Sequence, residues 1–343
     1  MADFNTITSV GTREDLSDVI YNVDPFETPV FNSIGKGSCT QKQFDWQVDD
    51  LGEGNADATI VAEGHDFGTQ EQTPTDRMTG ICQINERGFG VTGTQEASKH
   101  AGRKSELAYQ MAKVSKKLKM DIEMALAGGH RQAVYAGLTR KTPSITSFLS
   151  KNVVHVDTTT TNAQSSYTGS YTPELGLADG KGVWTEGSAA AVTEITEAHL
   201  QDLLTDIYMQ SGRSPSLLVV DPKTKTKISN TFVGRATDLQ MSAKDKTVQT
   251  VVDVYVSDFG TLRIMPSRYI GGDLTNGGLA LALDTSQFSV DYLRGFNTYD
   301  LPKQGDWVRK ALNVEWGLRS NNELSSGMIV DFAKGNPIAS AAL

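Results

Sequence analysis

Leu107, Met111, Val114, Leu118, Ile122 and Ala125 recur three or four positions apart. That spacing is one face of an α-helix and predicts a helix over 96–127. Gly128-Gly129 follows, residues that tolerate the left-handed conformation in which helices end. At 1.5 Å per residue the helix would be about 45 Å long. Upstream the period changes to two. Gln43-Phe44-Asp45-Trp46-Gln47-Val48 alternates polar and apolar, which predicts a strand with one buried face. Met78 to Val91, with Ile81, Ile84, Phe89 and Val91, reads as the returning strand. Between them lies Asp49 to Phe67, rich in Gly, Asp, Ala and Glu, so 37–95 predicts a long two-stranded excursion.

Before residue 37, Pro25 and Pro29 bracket Phe26, and Val30, Phe31 and Ile34 follow. Proline blocks both helix and ladder. An extended arm bearing these apolar residues would need a groove to lie in. A short helix over 13–22, capping the chain's own core, fits equally well. Residues 138–192 are poor in charge and rich in Thr, Ser and Gly, with a run from Thr158 to Thr161. They predict an insertion or long surface loop in which only 147–156 has the substance of an element.

Pattern resumes at 194. Leu200, Leu203, Leu204, Ile207 and Tyr208 form an amphipathic stripe that Gly212 closes. Leu217 to Val220 is a short apolar run and predicts a buried strand; Pro222 suits the first turn of a following helix. Strands are predicted at 251–256, 262–265, 279–283, 288–293, 307–318 and 328–332, with Gly-rich turns between several of them. The fold class is α+β. No alternating βαβ series occurs, which argues against a doubly wound parallel sheet.

Charge sharpens this picture. The chain has 343 residues, 38% hydrophobic and 21% charged, with a net charge of −9. That balance opposes a protein dedicated to gripping nucleic-acid phosphates. Residues 37–95 hold ten Asp and Glu against three Lys and Arg, a net of −7; residues 96–131 hold eight Lys and Arg against four acids, a net of +4. The longest apolar run, Leu279 to Leu283, is far short of the ~20 residues a membrane span needs. Met1-Ala2-Asp3-Phe4 has neither the basic start nor the apolar stretch of a signal peptide. Cys39 and Cys82 lack CxxC spacing, so neither a disulfide framework nor a zinc site is expected. Reduced thiols in a cytoplasmic setting are.

One motif points to an enzyme. Gly88-Phe89-Gly90-Val91-Thr92-Gly93 fits G-x-G-x-x-G, after a predicted strand and before a predicted helix. A dinucleotide site also needs a second strand with an acidic residue ~20 positions on. Lys113 to Lys119 occupies that place, so the glycines read better as a pivot from strand to helix. The five histidines are far apart, and Asp49, Asp50 and Glu53 lack the alternation of a calcium loop. No catalytic, cofactor-binding or metal-ligating residues are assigned.

The order of elements now matters. An N-terminal arm, an acidic two-stranded excursion, a long helix, and an α+β region whose last strands return to the first resemble the Hong Kong 97-type capsid fold of tailed-phage major head proteins. Short segments carry the same likeness: Thr12-Arg13-Glu14-Asp15-Leu16-Ser17-Asp18, Asp24 to Phe31, Ala62-Glu63-Gly64, Gly212-Arg213-Ser214-Pro215, Asp221-Pro222 and Val256-Ser257-Asp258-Phe259-Gly260. The resemblance spans nearly all of the chain except 138–192.

The resemblance implies an N-arm over 1–36 and an E-loop over 37–95. It implies a P-domain with spine helix and insertion over 96–193, an A-domain over 194–293, and returning P-domain strands over 294–343. It further implies a capsid protein that self-assembles as hexamers and pentamers into an icosahedral shell around double-stranded DNA, without sequence-specific binding. Its place would be the virion, assembled in the host cytoplasm without a membrane, with portal, decoration and separate scaffolding proteins as candidate partners. The lysine with which some relatives cross-link their excursion is not expected, since no lysine lies between Gln43 and Ser98. The helix is reached within the first hundred residues, so scaffolding, if used, is expected as a separate protein.

Inter-subunit contacts are expected at Phe26, Val30 and Phe31 of the arm. They are expected too between Glu53, Asp57, Glu63 and Asp66 of the excursion and Lys113, Lys116, Lys117 and Lys119 of a neighbour's helix. Another self-assembling virion or surface-layer protein, and a dinucleotide-binding enzyme, are the alternatives.

Overall fold

The computed structural model describes residues 27–49, 56–57, 60–65, 74–99, 102–149, 151–156, 179–182, 194–233, 253–272, 274 and 277–333. In chain order, helix α1 (Pro29–Ser33) precedes strands β1 (Gly35–Ser38), β2 (Gln43–Val48), β3 (Asp76–Ile81) and β4 (Gln83–Thr92). Helices α2 (Gly93–Ala97) and α3 (Glu106–Ala127) lead to β5 (Val153–His155), α4 (Glu197–Ser211), β6 (Leu217–Val220) and α5 (Pro222–Val233). Strands β7 (Val254–Ser257), β8 (Gly260–Pro266), β9 (Gly277–Leu283), β10 (Phe288–Asp300), β11 (Trp307–Ser320) and β12 (Gly327–Ala333) complete it.

The apolar runs become strands covered on both faces. Every residue of β6 and β9 is buried, and both lie inside a six-stranded mixed sheet of order β5-β12-β9-β6-β8-β7. Leu200, Leu203, Leu204 and Ile207 of α4 pack there against Leu218, Val220, Ile264, Ala280, Ala282, Ile329 and Phe332. The ends of α4 follow from local chemistry. Thr196 and His199 form a reciprocal cap, and Gly212, at φ 62°, turns its amide onto the Tyr208 carbonyl at 2.8 Å. A second sheet has the order β1-β10-β11-β4, with β1 parallel to β10, and β2 pairs with β3 alone.

By contacts the chain forms two units. Among the described residues, one comprises those of 86–118 and 297–313; the other comprises those of 27–85, 119–296 and 314–333. The first holds most of β4, α2, the first half of α3, and the facing ends of β10 and β11. The second holds the β2–β3 pair, the six-stranded sheet and the core around α4.

Three expectations need correction. The single helix over 96–127 is two helices. The Ser98 hydroxyl and amide turn back onto the Thr94 carbonyl, and Gly102 adopts φ 74°. Glu96, expected inside the helix, instead caps the next one: its carboxylate accepts from the Ser105 hydroxyl at 2.8 Å and from the Glu106 and Leu107 amides at 3.1 Å. The remaining 22 residues of α3 span about 33 Å.

The expected surface loop beginning at 138 is not all surface. Residues 142–149 are buried, with Ile145, Phe148 and Leu149 in the core and Ser144 and Ser147 hydrogen-bonded to Arg131. The short helix considered over 13–22 lies outside the described residues. The segment after it does not wait for a neighbour: Val30 and Phe31 are buried within α1 of their own subunit.

Candidate functional site

The alternation over 43–48 does make a half-buried strand. β2 and β3 pair antiparallel from Gln43↔Ile81 to Val48↔Asp76. Trp46 is buried, donates its indole N–H to the Ser320 carbonyl at 2.8 Å, and lies under the Arg319 guanidinium. Phe44 stacks on Trp46 with ring centroids 5.7 Å apart. Its ring lies so close to Gly80 that a β-carbon there would come within 2.6 Å and would push the ring aside. The root of the excursion is thus packed firmly. Farther out, Asp57 and Glu63 are exposed, and so are Ile60 and Val61, at 72% and 62%. Glu53 and Asp66 lie outside the described residues. Ile60 and Val61 were not singled out from the sequence, because two apolar residues in an acidic stretch have no period to reveal them.

On α3, Leu118, Ile122, Ala125 and Leu126 are buried, as the stripe requires. Lys113, Lys116 and Lys117 are exposed and Lys119 is half-buried. Glu106 and Glu123 are the buried acids of this helix, and Glu123 is the deeper of the two. It is wholly buried and accepts the Val30 amide at 3.0 Å and the Phe31 amide at 2.7 Å. Burial pushes its pKa up to about 7, against the pull of those two bonds. Val30 and Phe31 are therefore removed from the expected inter-subunit contacts, because α3 of their own subunit holds them. Phe26 lies outside the described residues.

The glycine motif also resolves. β4 runs directly into α2, with the Thr92 hydroxyl accepting the Gln95 amide at 3.3 Å. Gly93 donates to the Asp306 carbonyl at 2.9 Å. A β-carbon on Gly90 would lie 2.9 Å from Arg309 Cγ. These glycines serve close approach of β4 to the 306–309 segment.

Other buried polar groups are structural in their partners. Glu315 accepts from Arg140 at 2.7 Å and from Arg294 at 2.9 Å. His155 Nδ1 is 2.5 Å from Asp331 Oδ2, where Asp331 adopts φ 59° at a break in the β12–β9 register. Glu323 is buried beside Lys151, and burial pushes its pKa up to about 8. Cys39 and Cys82, 43 positions apart, bring their sulfurs to 3.2 Å. Among the described residues no group of three or more His, Cys, Asp or Glu is placed to hold a metal. None of the described helices is long and apolar enough to cross a membrane.

Comparison with known proteins bears on these surfaces. A family model described as SU10 major capsid protein matches residues 3–333. The major capsid protein of Escherichia phage Phieco32 is 24% identical over 341 residues, 93% of this chain and 94% of that one. Among solved structures, a chain of the Cyanophage A-1(L) capsid has a TM-score of 0.64 at 12% identity, covering 96% of this chain and all of its own length. A chain from the capsid of a native GTA particle has a TM-score of 0.61 at 14% identity, covering 97% of this chain and 100% of that chain. The fold shared with these capsid chains is the Hong Kong 97-type fold that the element order resembles.

Proposed function

The chain belongs to the SU10 major capsid protein family and is a phage protein that forms the capsid shell, and on that premise we propose how its subunits engage. The β2–β3 excursion is the E-loop, and it lies along the spine helix of a neighbouring subunit. Asp57 and Glu63, with Glu53 and Asp66, face Lys113, Lys116, Lys117 and Lys119 across that boundary. The supporting observation is the opposed charge: exposed acids on the excursion and exposed lysines on α3. Ile60 and Val61 add exposed apolar surface to the same excursion, which burial against a neighbour would remove from water.

Segments 1–36, 96–193, 194–293 and 294–343 take the roles of arm, P-domain, A-domain and returning P-domain strands. Hexamers and pentamers close the shell in the host cytoplasm. A net charge of −9 suits a wall that encloses double-stranded DNA without holding it. The role is structural and not enzymatic, and scaffolding, portal and decoration proteins are separate chains. Carboxylate–lysine cross-linking of assembled shells tests the boundary. Links between the 56–65 peptide and the 113–119 peptide should form in shells and be missing in dissociated subunits. Equal links in both would place the contact inside one subunit and overturn the proposal.

A further inference from the structure

Cys39 and Cys82 flank the two strands of the excursion at its root. Cys39 precedes β2, Cys82 follows β3, and the first residue pair above them is Gln43↔Ile81. Each is held by its backbone: the Cys39 amide donates to the Tyr292 carbonyl of β10 at 3.0 Å, and the Cys82 amide donates to the Lys42 carbonyl at 2.8 Å. The sulfurs are 3.2 Å apart, Cys82 is fully buried and Cys39 is half-buried. A bonded pair needs an S–S distance of about 2.05 Å, so the sulfurs have roughly 1 Å to close.

We propose that Cys39 and Cys82 form an oxidisable dithiol, and that their disulfide locks the root of the excursion to strand β10. The oxidant is a low-molecular-weight disulfide of the glutathione class. The Cys39 thiolate attacks one sulfur of that disulfide, forming a mixed disulfide and releasing one small thiolate, which takes up the proton Cys39 lost. The Cys82 thiolate then attacks Cys39 Sγ, forms the internal bond and expels the second small thiol, which receives the Cys82 proton. Two protein thiols and one small disulfide become one protein disulfide and two small thiols. Burial raises both thiol pKa values, so few thiolates exist at neutral pH and the step is slow in the folded subunit. In a reducing medium the subunit therefore keeps two thiols at this root, and in an oxidising medium it carries a covalent bridge there. The bridge rests on geometry within one subunit and does not depend on the proposed boundary.

The test uses the full-length soluble subunit with glutathione disulfide at mildly alkaline pH, without denaturant. A product lighter by two hydrogens is expected, with one peptide pair joining residues 39 and 82. Amide exchange over 79–81 should slow roughly tenfold, reversed by reductant. Cys39→Ser and Cys82→Ala should each abolish the bridge and the slowing. A persistent mixed disulfide, subunits joined through Cys39, a bridge that forms only in denaturant, or a bridge that leaves exchange over 79–81 unchanged would each overturn the proposal.

Discussion

Glu123 Oε2 accepts the Phe31 amide hydrogen at 2.7 Å across 92 positions of sequence, and Oε1 accepts that of Val30 at 3.0 Å. One buried side chain of α3 thus fixes the start of α1. Glu123→Ala leaves both amides buried and without an acceptor, which should cost about 2–4 kcal/mol. Denaturant unfolding of the isolated subunit measures it. A cost below about 0.5 kcal/mol would mean that the clasp contributes nothing.

Two buried carboxyls make stability depend on pH in an unusual direction. Glu123 is pushed up to about 7 and Glu323 to about 8, both from a carboxylate's ordinary 4.5. The folded chain then binds more protons than the unfolded chain between 4.5 and about 8, so stability falls as pH rises through that window. The contribution is complete below 4.5. Glu323→Gln should remove the decline above about pH 7 and leave the Glu123 part below it. Urea midpoints from about pH 5 to about pH 8 decide it, and a midpoint that rises with pH in the wild-type subunit would refute the assignment.

The Glu315 cluster should show unequal partners. Glu315 is buried between Arg140, whose side chain is 18% exposed, and Arg294, 56% exposed. Removing the shared acid strands a largely buried guanidinium, so Glu315→Ala should cost about 3–5 kcal/mol. Arg140→Ala should cost less, because Arg294 still pairs the carboxylate, and Arg294→Ala should cost least, since its guanidinium is the more exposed and the largely buried Arg140 still pairs Glu315. Thermal unfolding of the three variants gives the order. Arg294→Ala as the worst would reverse the account.

The Gly88–Gly93 motif should bind neither nicotinamide nor flavin dinucleotides. The Gly93 amide already serves the Asp306 carbonyl, and Gly90 faces Arg309, so the groups that would meet a pyrophosphate have partners in the chain. Calorimetric titration of the subunit should be flat. Saturable binding in the micromolar range would restore the enzyme reading of these glycines.

What the sequence made legible follows from range. Period-two and period-3.6 patterns report local burial, so β2, α4, β6 and most of α3 are readable from the sequence alone. Gly212 and Pro222 marked the end of α4 and the start of α5 because capping chemistry is local. The break between α2 and α3 was not readable: Glu96 caps α3 through a turn at Gly102, and as a helix-forming residue it prolonged the apparent pattern. Burial of 142–149 was hidden in the same way, since Ser and Thr there satisfy their hydroxyls on Arg131, Gly129 and each other. The pairings of Glu123 with Phe31 and of Cys39 with Cys82 join residues dozens of positions apart. No spacing rule in a single chain could have found them.

Assembly kinetics test the central claim most directly. Lys113 and Lys117 are exposed one helical turn apart on α3, while Asp57 and Glu63 are exposed on the excursion. Each exposed pair is worth about 0–1 kcal/mol and is screened within about 10 Å at ordinary salt, so repeated pairs steer and register subunits more than they stabilise them. Light scattering from purified subunits follows shell formation at low and high salt. Lys113→Glu with Lys117→Glu should slow assembly several-fold at low salt and much less at high salt, and adding Asp57→Lys with Glu63→Lys should recover part of the rate. Low-salt kinetics unchanged in the lysine double variant would contradict the proposed boundary.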